Sequence, residues 1–207
     1  MTSKAKGLKS AIDAFARRGG IEAGMGQNLM KEAIHLHLLS ALSEAGVLQH
    51  VVFQGGTALR LCYRGERYSE DLDFVCGKAG VYLQDAELGT LVGKALEIAK
   101  KSLRRDFDID AAQIALKHPA QPGLVKGSGV NVAAWQIVVP VKPTPNSPKS
   151  RIKIEFANVP SYDAKPLAIS ATPGLVQIQD VILNVETPSE ILADKAVALT
   201  ARTALKF

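Results

Sequence analysis

Two acidic residues, Asp71 and Asp73, have the type and spacing that could bind a metal ion. They alternate with Leu72 and Phe74, and this two-residue period predicts a β-strand with both carboxylates on one face. Two carboxylates this close disfavour each other's ionisation, and a hard, oxygen-binding cation such as Mg²⁺ removes that conflict. The pair therefore indicates a divalent-metal site, although a D-x-D pattern alone also fits a solvated strand edge.

A Gly55-Gly56 pair follows a short apolar stretch at 51–53 and predicts a tight turn between a strand and a helix. Thr57 is predicted to cap that helix, which continues to Tyr63. Glycine lets backbone N–H groups come close to an anion, and the positive end of the helix faces the same place. The turn is therefore predicted to hold phosphate groups.

Further polar residues are predicted beside the two acids. If the extended segment already begins at Arg67, then Arg67 and Ser69 share the acidic face. A third carboxylate is usual where two metal ions clamp a phosphoryl group, and Glu155 is the candidate for it. It shares a predicted strand face with Arg151 and Lys153 in the run RIKIEF, although an ordinary amphipathic strand would give the same pattern.

Other candidates are weaker. Asp108 and Asp110 have the same spacing as the first acid pair but lack a preceding glycine turn, so they are interpreted as a solvent-facing strand edge. His35 and His37 lie about 200° apart around a helix and cannot chelate one metal ion together. Both are interpreted as packing or surface histidines, and Lys195 by itself would be a surface lysine.

The elements that must position these residues alternate between helical and strand periodicity, which predicts a mixed α/β or α+β fold. The final helix has Thr187 as its N-cap, Pro188 at its first position and Glu190 in a capping box, and it runs to the chain end. The predicted helices span residues 8–17, 26–46 (amphipathic), 57–63, 85–103 and 187–207. The predicted strands span residues 51–53, 67–76, 107–116, 132–139, 151–156 and 176–183.

Composition limits the class of protein. With 207 residues, 47% of them hydrophobic, the chain can form a globular core, and its net charge of +5 mildly favours polyanionic partners. Cys62 and Cys76 are too few for a disulfide framework and are interpreted as packing residues in a reducing compartment. The amino terminus is not of the secretory type, and no segment reaches about 18 continuous apolar residues, so we expect a cytoplasmic protein.

Two segments between these elements are predicted to be loops. Residues 140–149 hold four of the ten prolines and predict an exposed connection, which could be an ordered loop over the site. Residues 119–129 are rich in glycine and proline and predict a second loop. Neither segment marks a firm domain boundary.

The run GGTALRLCYRGERYSEDLDF resembles the signature of the AbiEii/AbiGii family, the abortive-infection nucleotidyltransferase toxins of type IV toxin-antitoxin systems. In that family a Gly-Gly-Thr-x-Leu segment precedes Arg-x-Ser-x-Asp-Leu-Asp-Phe, which corresponds here to residues 67–74. The later run ILADKAVALTAR resembles the family's lysine motif and implies a catalytic or nucleotide-contacting role for Lys195. The family pattern continues into an Arg-Asp-x-x-Asp segment that the sequence to Phe207 does not contain.

The resemblance implies a polymerase-β-like nucleotidyltransferase core at residues 49–186, after a helical segment at 1–48 and before a C-terminal helical region that starts at 187–207. It implies a two-metal enzyme that uses Mg²⁺ or Mn²⁺ and transfers nucleotides from an NTP to tRNA acceptor ends, as the toxin of a phage-defence pair with a cognate antitoxin. With the reasoning above, the expected catalytic residues are Ser69, Asp71, Asp73 and Lys195. The expected nucleotide-binding residues are Gly55, Gly56, Thr57, Arg67 and Lys153, and the expected metal ligands are Asp71, Asp73 and Glu155.

Two alternatives stay open: a catalytically silent nucleotidyltransferase-fold binding protein, and an enzyme that modifies a small molecule such as an antibiotic. An RNA backbone could be guided by two basic groups, although a solvated helix end explains the first of them equally well. These groups are Lys100, Lys101, Arg104 and Arg105, and Lys142, Lys149 and Arg151.

Overall fold

The computed structural model describes residues 23–75, 85–117, 134–141, 150–157, 159–170 and 181–204. The predicted helix at 8–17 and the predicted loop at 119–129 lie outside these ranges. The helices are α1 (Ala23–Glu44), α2 (Gly55–Cys62), α3 (Asp85–Phe107) and α4 (Pro188–Ala204). The strands are β1 (Val52–Gln54), β2 (Leu72–Val75), β3 (Ala115–Lys117), β4 (Ala134–Val141), β5 (Ser150–Ala157), β6 (Ala164–Ala168) and β7 (Ile182–Glu186).

Within the described ranges the strands form one seven-stranded sheet in the order β3-β4-β5-β2-β1-β7-β6. β2 pairs parallel with β5 and β1 pairs parallel with β7, while the other neighbours are antiparallel. The sheet is therefore mixed, and it follows a long N-terminal helix and precedes a C-terminal one. This confirms the predicted mixed α/β class with its helical lead-in and C-terminal helix.

Three stacked phenylalanines fix the register at the centre of the sheet. Phe53, Phe74 and Phe156 are Cα partners on β1, β2 and β5. Their ring centroids lie 5.0 Å apart between Phe53 and Phe74 and 5.2 Å apart between Phe74 and Phe156. All three are buried in the hydrophobic core. Because side chains alternate across a strand, the residues adjacent to each phenylalanine point to the opposite face.

The first helix is buried more completely than an amphipathic pattern predicts. α1 packs against α3 and the sheet, and its apolar residues belong to the same hydrophobic core as the three phenylalanines. Residues 29–36 of α1 are all buried, and they include the polar side chains Lys31, Glu32 and His35. The predicted amphipathic helix is thus corrected: it buries a polar face as well as an apolar one.

The predicted strand at 107–116 is largely wrong. α3 continues to the first residue of that range, and a 3-10 turn, Ala111–Gln113, follows before β3 begins. Asp108 adopts a left-handed backbone conformation with φ 57°, and the Asp110 carboxylate accepts the N–H of the second residue of the turn at 3.0 Å. Aspartates favour turns because their side chains form such local hydrogen bonds. Here the two-residue spacing of Asp108 and Asp110 resembled the alternation of a strand. Both aspartates are exposed, as expected, but they lie in a turn.

Other strand boundaries shift as well. β2 begins at Leu72, five residues later than predicted, and β7 begins later than the predicted start at 176. β4 includes Pro140, which was assigned to the exposed connection, and residues 142–149 lie outside the described ranges. The sequence did not predict β6, because this short edge strand is mostly exposed and carries a proline without clear alternation.

The start of α4 forms half of the predicted capping box. The Glu190 N–H donates to the Thr187 hydroxyl at 3.4 Å. The Glu190 carboxylate, in contrast, accepts the backbone N–H groups of Tyr162 and Asp163, both at 2.6 Å, and the Ser161 hydroxyl at 3.2 Å. The side chain that was expected to close the box therefore fastens the turn before β6 to the start of α4.

Beyond Ile191 the described part of α4 is exposed, and Leu192, Val197 and Leu199 each expose 67% of their surface. Among the described residues, none of the helices combines the length and apolar character that crossing a membrane requires. Cys62 is half-buried, and burial raises its pKa to about 12, as expected of a packing thiol. Cys76 lies outside the described residues.

Candidate active site

A row of polar residues crosses the centre of the sheet. Gln54, Asp73, Glu155 and Gln136 are successive Cα partners on β1, β2, β5 and β4. Each of the four is next in sequence to a buried apolar residue of its own strand, so the four side chains lie on the sheet face opposite to those buried residues. The structure thus brings Asp73 and Glu155 side by side on neighbouring strands.

The Gly55-Gly56 turn touches the acidic segment directly. A Cβ atom on Gly55 would lie 2.8 Å from Asp73 Oδ2, and Gly55 has a left-handed φ of +79°. A Cβ atom on Gly56 would lie 2.8 Å from Ser69 Oγ. Gly55 therefore requires glycine for its backbone conformation, and a side chain at Gly56 would displace Ser69. The glycine turn, Ser69 and Asp73 form a single surface.

This turn is also the beginning of α2. The helix starts at Gly55, with Gln54 as its N-cap residue, so the expectation that Thr57 caps it is wrong. The first N–H groups of a helix have no partner inside the helix and carry the positive end of its dipole. Thr57 is instead buried inside the helix, where its hydroxyl donates to the carbonyl oxygen of Asp71. The threonine ties the helix to the acidic segment.

Asp71 lies one residue before β2, and its side chain reaches the neighbouring strand. Its Oδ1 atom accepts the backbone N–H of Lys153 on β5 at 2.9 Å. A carboxylate oxygen can accept more than one hydrogen bond or contact a cation in addition. Asp71 is thus held in place without being neutralised by that backbone amide.

Glu155 is engaged by two neighbouring side chains. The Lys153 ammonium lies 2.6 Å from Glu155 Oε2, and the Gln136 amide donates to Glu155 Oε1 at 2.9 Å. The hydrogen bond with Glu155 raises the pKa of Lys153. In the described part of the chain, no three His, Cys, Asp or Glu side chains are grouped so that they could share one metal ion. For Glu155 to be a third ligand, its carboxylate would have to separate from Lys153.

The electrostatics of Asp73 favour a positive ligand. Burial and, after it, the nearby charges of Asp71 and Glu155 raise the pKa of Asp73 to about 6, while Lys153 and Lys195 oppose the rise. The site therefore carries more negative charge than its own lysines offset. Adjacent hard carboxylate oxygens in such surroundings fit Mg²⁺ or Mn²⁺, with Asp71 and Asp73 as the residues that would hold the ion.

Three other predicted residues occupy different positions around this centre. Lys195 is exposed on α4, near enough for its charge to lower the pKa of Asp73. Ser69 and Arg67 lie in the loop before β2, so the alternation of side chains along a strand does not determine which way they point. Ser69 reaches the site through its contact with Gly56, while Arg67 is exposed two residues earlier in the same loop.

Sequence reasoning missed several residues that contact the site or its loop. Gln136 supports Glu155, but its own strand gave no local sign of the pairing. Lys31 and His35 contact Glu70, the residue between Ser69 and Asp71. Their only sequence signal is their polarity within an otherwise apolar helix. His35 is buried and contacts the loop backbone, whereas His37 is half-buried and packs edge-on against Phe107, which agrees with its interpretation as a packing residue.

The first basic group is partly paired with acids. Lys100 lies 2.7 Å from Glu97, and Arg105 lies 2.7 Å from Asp106. These exposed pairs reduce the local positive charge at the end of α3. Arg151 of the second group is exposed, and its two lysine members lie outside the described residues.

A glycine turn that opens a helix beside a D-x-D strand on a mixed sheet is the arrangement expected of the nucleotidyltransferase class. The family model for the "Nucleotidyl transferase AbiEii toxin, Type IV TA system" matches residues 37–206, so the chain belongs to this family. The match includes the glycine turn, the acidic segment and Lys195. It confirms the family that the sequence signature predicted.

Two solved structures are similar to this chain: JHP933 from Helicobacter pylori and a candidate nucleotidyltransferase from H. pylori. Each has 20% sequence identity and a TM-score of 0.41, and each match covers 82% of this chain. The match covers 56% of JHP933 and 57% of the second protein, so this chain spans a little over half of their length. The comparison with curated protein sequences found no match.

Proposed function

We propose that this protein is a metal-dependent nucleotidyltransferase that acts as a toxin and transfers a nucleotide from an NTP to the acceptor end of tRNA. Membership in the AbiEii family supports the class of reaction. The observation that carries the proposal for this chain is the contact of the Gly55-Gly56 turn with Asp73 and Ser69. By that contact, the proposed phosphate-binding turn and the proposed metal-binding carboxylate would act within one small site.

In the proposed reaction, an acceptor hydroxyl oxygen forms a bond to the α-phosphorus of the NTP in line with the bond to the β-phosphate. The latter bond breaks, pyrophosphate leaves, and a carboxylate of the site accepts the hydroxyl proton. The N–H groups at the start of α2 and the Ser69 hydroxyl would bind phosphate oxygens. Lys195 would offset the triphosphate charge, with Arg67 as a second cation at the rim.

Asp71 and Asp73 would hold Mg²⁺ or Mn²⁺. The ion would supply the positive charge that lets both aspartates ionise together in the presence of the triphosphate. The hydrogen bond from the backbone N–H of Lys153 to Asp71 Oδ1, which holds this carboxylate beside Asp73, supports this role. If the Lys153 ammonium moved from Glu155 to the triphosphate, the Glu155 carboxylate would become available as a third metal ligand. The proposed roles of Lys153 and Glu155 are therefore linked.

The acceptor and the partners are the least constrained part of the proposal. The net charge of +5 is compatible with an RNA substrate, and exposed Arg151 lies on β5, the strand that also carries Lys153. Use of an NTP and of tRNA would place the reaction in the cytoplasm. A type IV toxin also implies a cognate antitoxin, and phage defence is the proposed setting.

The test supplies purified protein with each labelled NTP, Mg²⁺ or Mn²⁺, and total tRNA. We expect label on tRNA from the wild-type protein and from Asp108→Asn, an exposed control outside the site, and none from Asp71→Ala. Failure of every NTP to label tRNA would refute the tRNA-toxin proposal. NTP and metal binding without transfer would then identify a silent binding protein, and transfer to a small-molecule acceptor would identify an antibiotic-type enzyme.

A further inference from the structure

Helix α1 holds the loop that carries Ser69 and Asp71. The Lys31 ammonium donates to Glu70 Oε1 at 2.6 Å, and the Lys31 side chain is only 6% exposed. One helical turn later, His35 Nε2 lies 2.9 Å from the carbonyl oxygen of Glu70. A carbonyl oxygen only accepts, so Nε2 carries the proton in this contact. Two side chains of α1 thus bind Glu70, Lys31 at its carboxylate and His35 at its backbone carbonyl.

A second anchor lies one residue along the same helix. The Glu32 carboxylate, buried in α1, accepts from Arg60 Nε of α2 at 3.0 Å. Arg60 in turn donates to the carbonyl oxygen of Gly65 at 3.0 Å and lies over the Tyr68 ring at 4.2 Å from its centroid. The loop between α2 and β2 is therefore fastened at its beginning, its middle and its end.

The fastened residues are the neighbours of the proposed catalytic groups. Glu70 lies between Ser69 and Asp71, and the next carbonyl, that of Asp71, accepts a hydrogen bond from the Thr57 hydroxyl of α2. Two consecutive carbonyls are therefore held by two different helices. The loop contains no helix or strand of its own between α2 and β2, so such contacts must supply its order.

We infer that His35 and Lys31 are positioning residues, which place Ser69 and Asp71 against the glycine turn by holding Glu70. The inference rests on the proposed function. Both residues precede the range matched by the family model, residues 37–206, so part of the machinery that shapes this site lies outside that range. Burial lowers the pKa of His35 to about 4, so the imidazole stays neutral and its single ring N–H remains directed to the loop.

The chain offers a matched control for a test of His35. His37 lies two residues later on α1 and is also shielded, but its ring packs on Phe107 at 5.1 Å between centroids, and its Nδ1 lies 3.7 Å from Asp106. His35→Leu removes the N–H donor and retains apolar volume, and His37→Leu makes the same change away from the loop. His35→Gln keeps an N–H donor at a similar reach.

We expect His35→Leu to lower kcat for nucleotide transfer by about tenfold or more, since small displacements of catalytic groups are costly, with KM for the NTP changed less than about threefold. His35→Gln should recover most of the lost kcat. His37→Leu should keep kcat near the wild-type value even where its melting temperature falls as far as that of His35→Leu. Equal kcat losses in the two leucine variants would show a general stability effect and overturn the inference.

Hydrogen exchange provides a readout that does not depend on activity. In His35→Leu the amides of residues 66–73 should exchange faster than in the wild type and in His37→Leu. Unchanged exchange of this segment in His35→Leu would overturn the positioning role. If the wild-type protein transfers no nucleotide, the proposed function fails, but the exchange comparison still decides whether α1 orders the loop.

Discussion

Replacing Asp73 with Asn should stabilise the metal-free fold while it removes the proposed metal ligand. Asp73 is half-buried next to Asp71 and Glu155, and its pKa is raised from 3.8 to about 6. Each unit of pKa shift corresponds to about 1.4 kcal/mol, so ionisation of this one carboxyl lowers the free energy of unfolding by up to about 3 kcal/mol. An asparagine of nearly the same shape does not ionise and avoids that loss.

The sign of the pH dependence follows from the raised value. Below the unfolded-state pKa of 3.8, the folded and unfolded proteins both hold the proton and the contribution of Asp73 to stability is fully present. As the pH rises through about 6, the folded protein must release its proton, and that contribution is lost. The stability advantage of Asp73→Asn should thus be small near pH 4 and reach its full value near pH 7.

The measurement is urea unfolding in EDTA across this pH interval, with Asp108→Asn as the control. Asp108 is exposed and has a left-handed φ of 57°, which asparagine also tolerates, so the control should follow the wild-type curve. Addition of Mg²⁺ or Mn²⁺ should stabilise the wild type more than Asp73→Asn. A stability difference that stays flat between pH 4 and pH 7, or that reverses, would refute the electrostatic reasoning.

Three further changes test other parts of the account. Gly56→Ala places a Cβ atom 2.8 Å from Ser69 Oγ and should lower kcat about tenfold or more. Gly93→Ala is the matched control, because its Cβ atom meets no atom within 4 Å. It should keep kcat and stabilise α3 by up to about 1 kcal/mol in denaturant unfolding. Glu186 is fully buried, and burial, together with the nearby charges of Asp194 and Glu190, raises its pKa to about 8. Its contribution to stability is therefore fully present below pH 4.5 and is lost as the pH rises to about 8. The melting temperature of the wild type should fall relative to Glu186→Gln between pH 5 and pH 8 and the difference should then level off; parallel curves over this interval would contradict this. Glu190→Ala should cost about 3 kcal/mol in urea unfolding, because three donors of the turn before β6 lose a charged acceptor, and a loss below about 1 kcal/mol would show that the turn holds without it.

Local sequence patterns predicted the parts of the site that depend on alternation or on glycine geometry. The opposite faces of Asp73 and Phe74 follow from the two-residue period of a strand, and Glu155 and Phe156 repeat the same pattern on β5. The Gly55-Gly56 turn could be predicted because a close backbone approach leaves no room for a side chain.

The remaining features depend on contacts between segments that are distant in the chain. The pairing of Gln136 with Glu155 requires the register of β4 on β5, which no short motif encodes. Thr57 binds the Asp71 carbonyl and does not cap the helix, because the N-cap is Gln54, three residues earlier than capping preferences predicted. His35 was interpreted as a packing residue, and only the tertiary structure places its ring nitrogen on the loop backbone.

The central claim is most directly tested by following the two ends of the triphosphate separately. The NTP that supports transfer is supplied once with the label on its α-phosphorus and once on its γ-phosphorus, together with tRNA and Mg²⁺ or Mn²⁺. The account predicts that the α-label moves to tRNA, the γ-label leaves as pyrophosphate, and Asp73→Asn abolishes both products. Transfer of the γ-label to tRNA, or undiminished α-label transfer by Asp73→Asn, would contradict it.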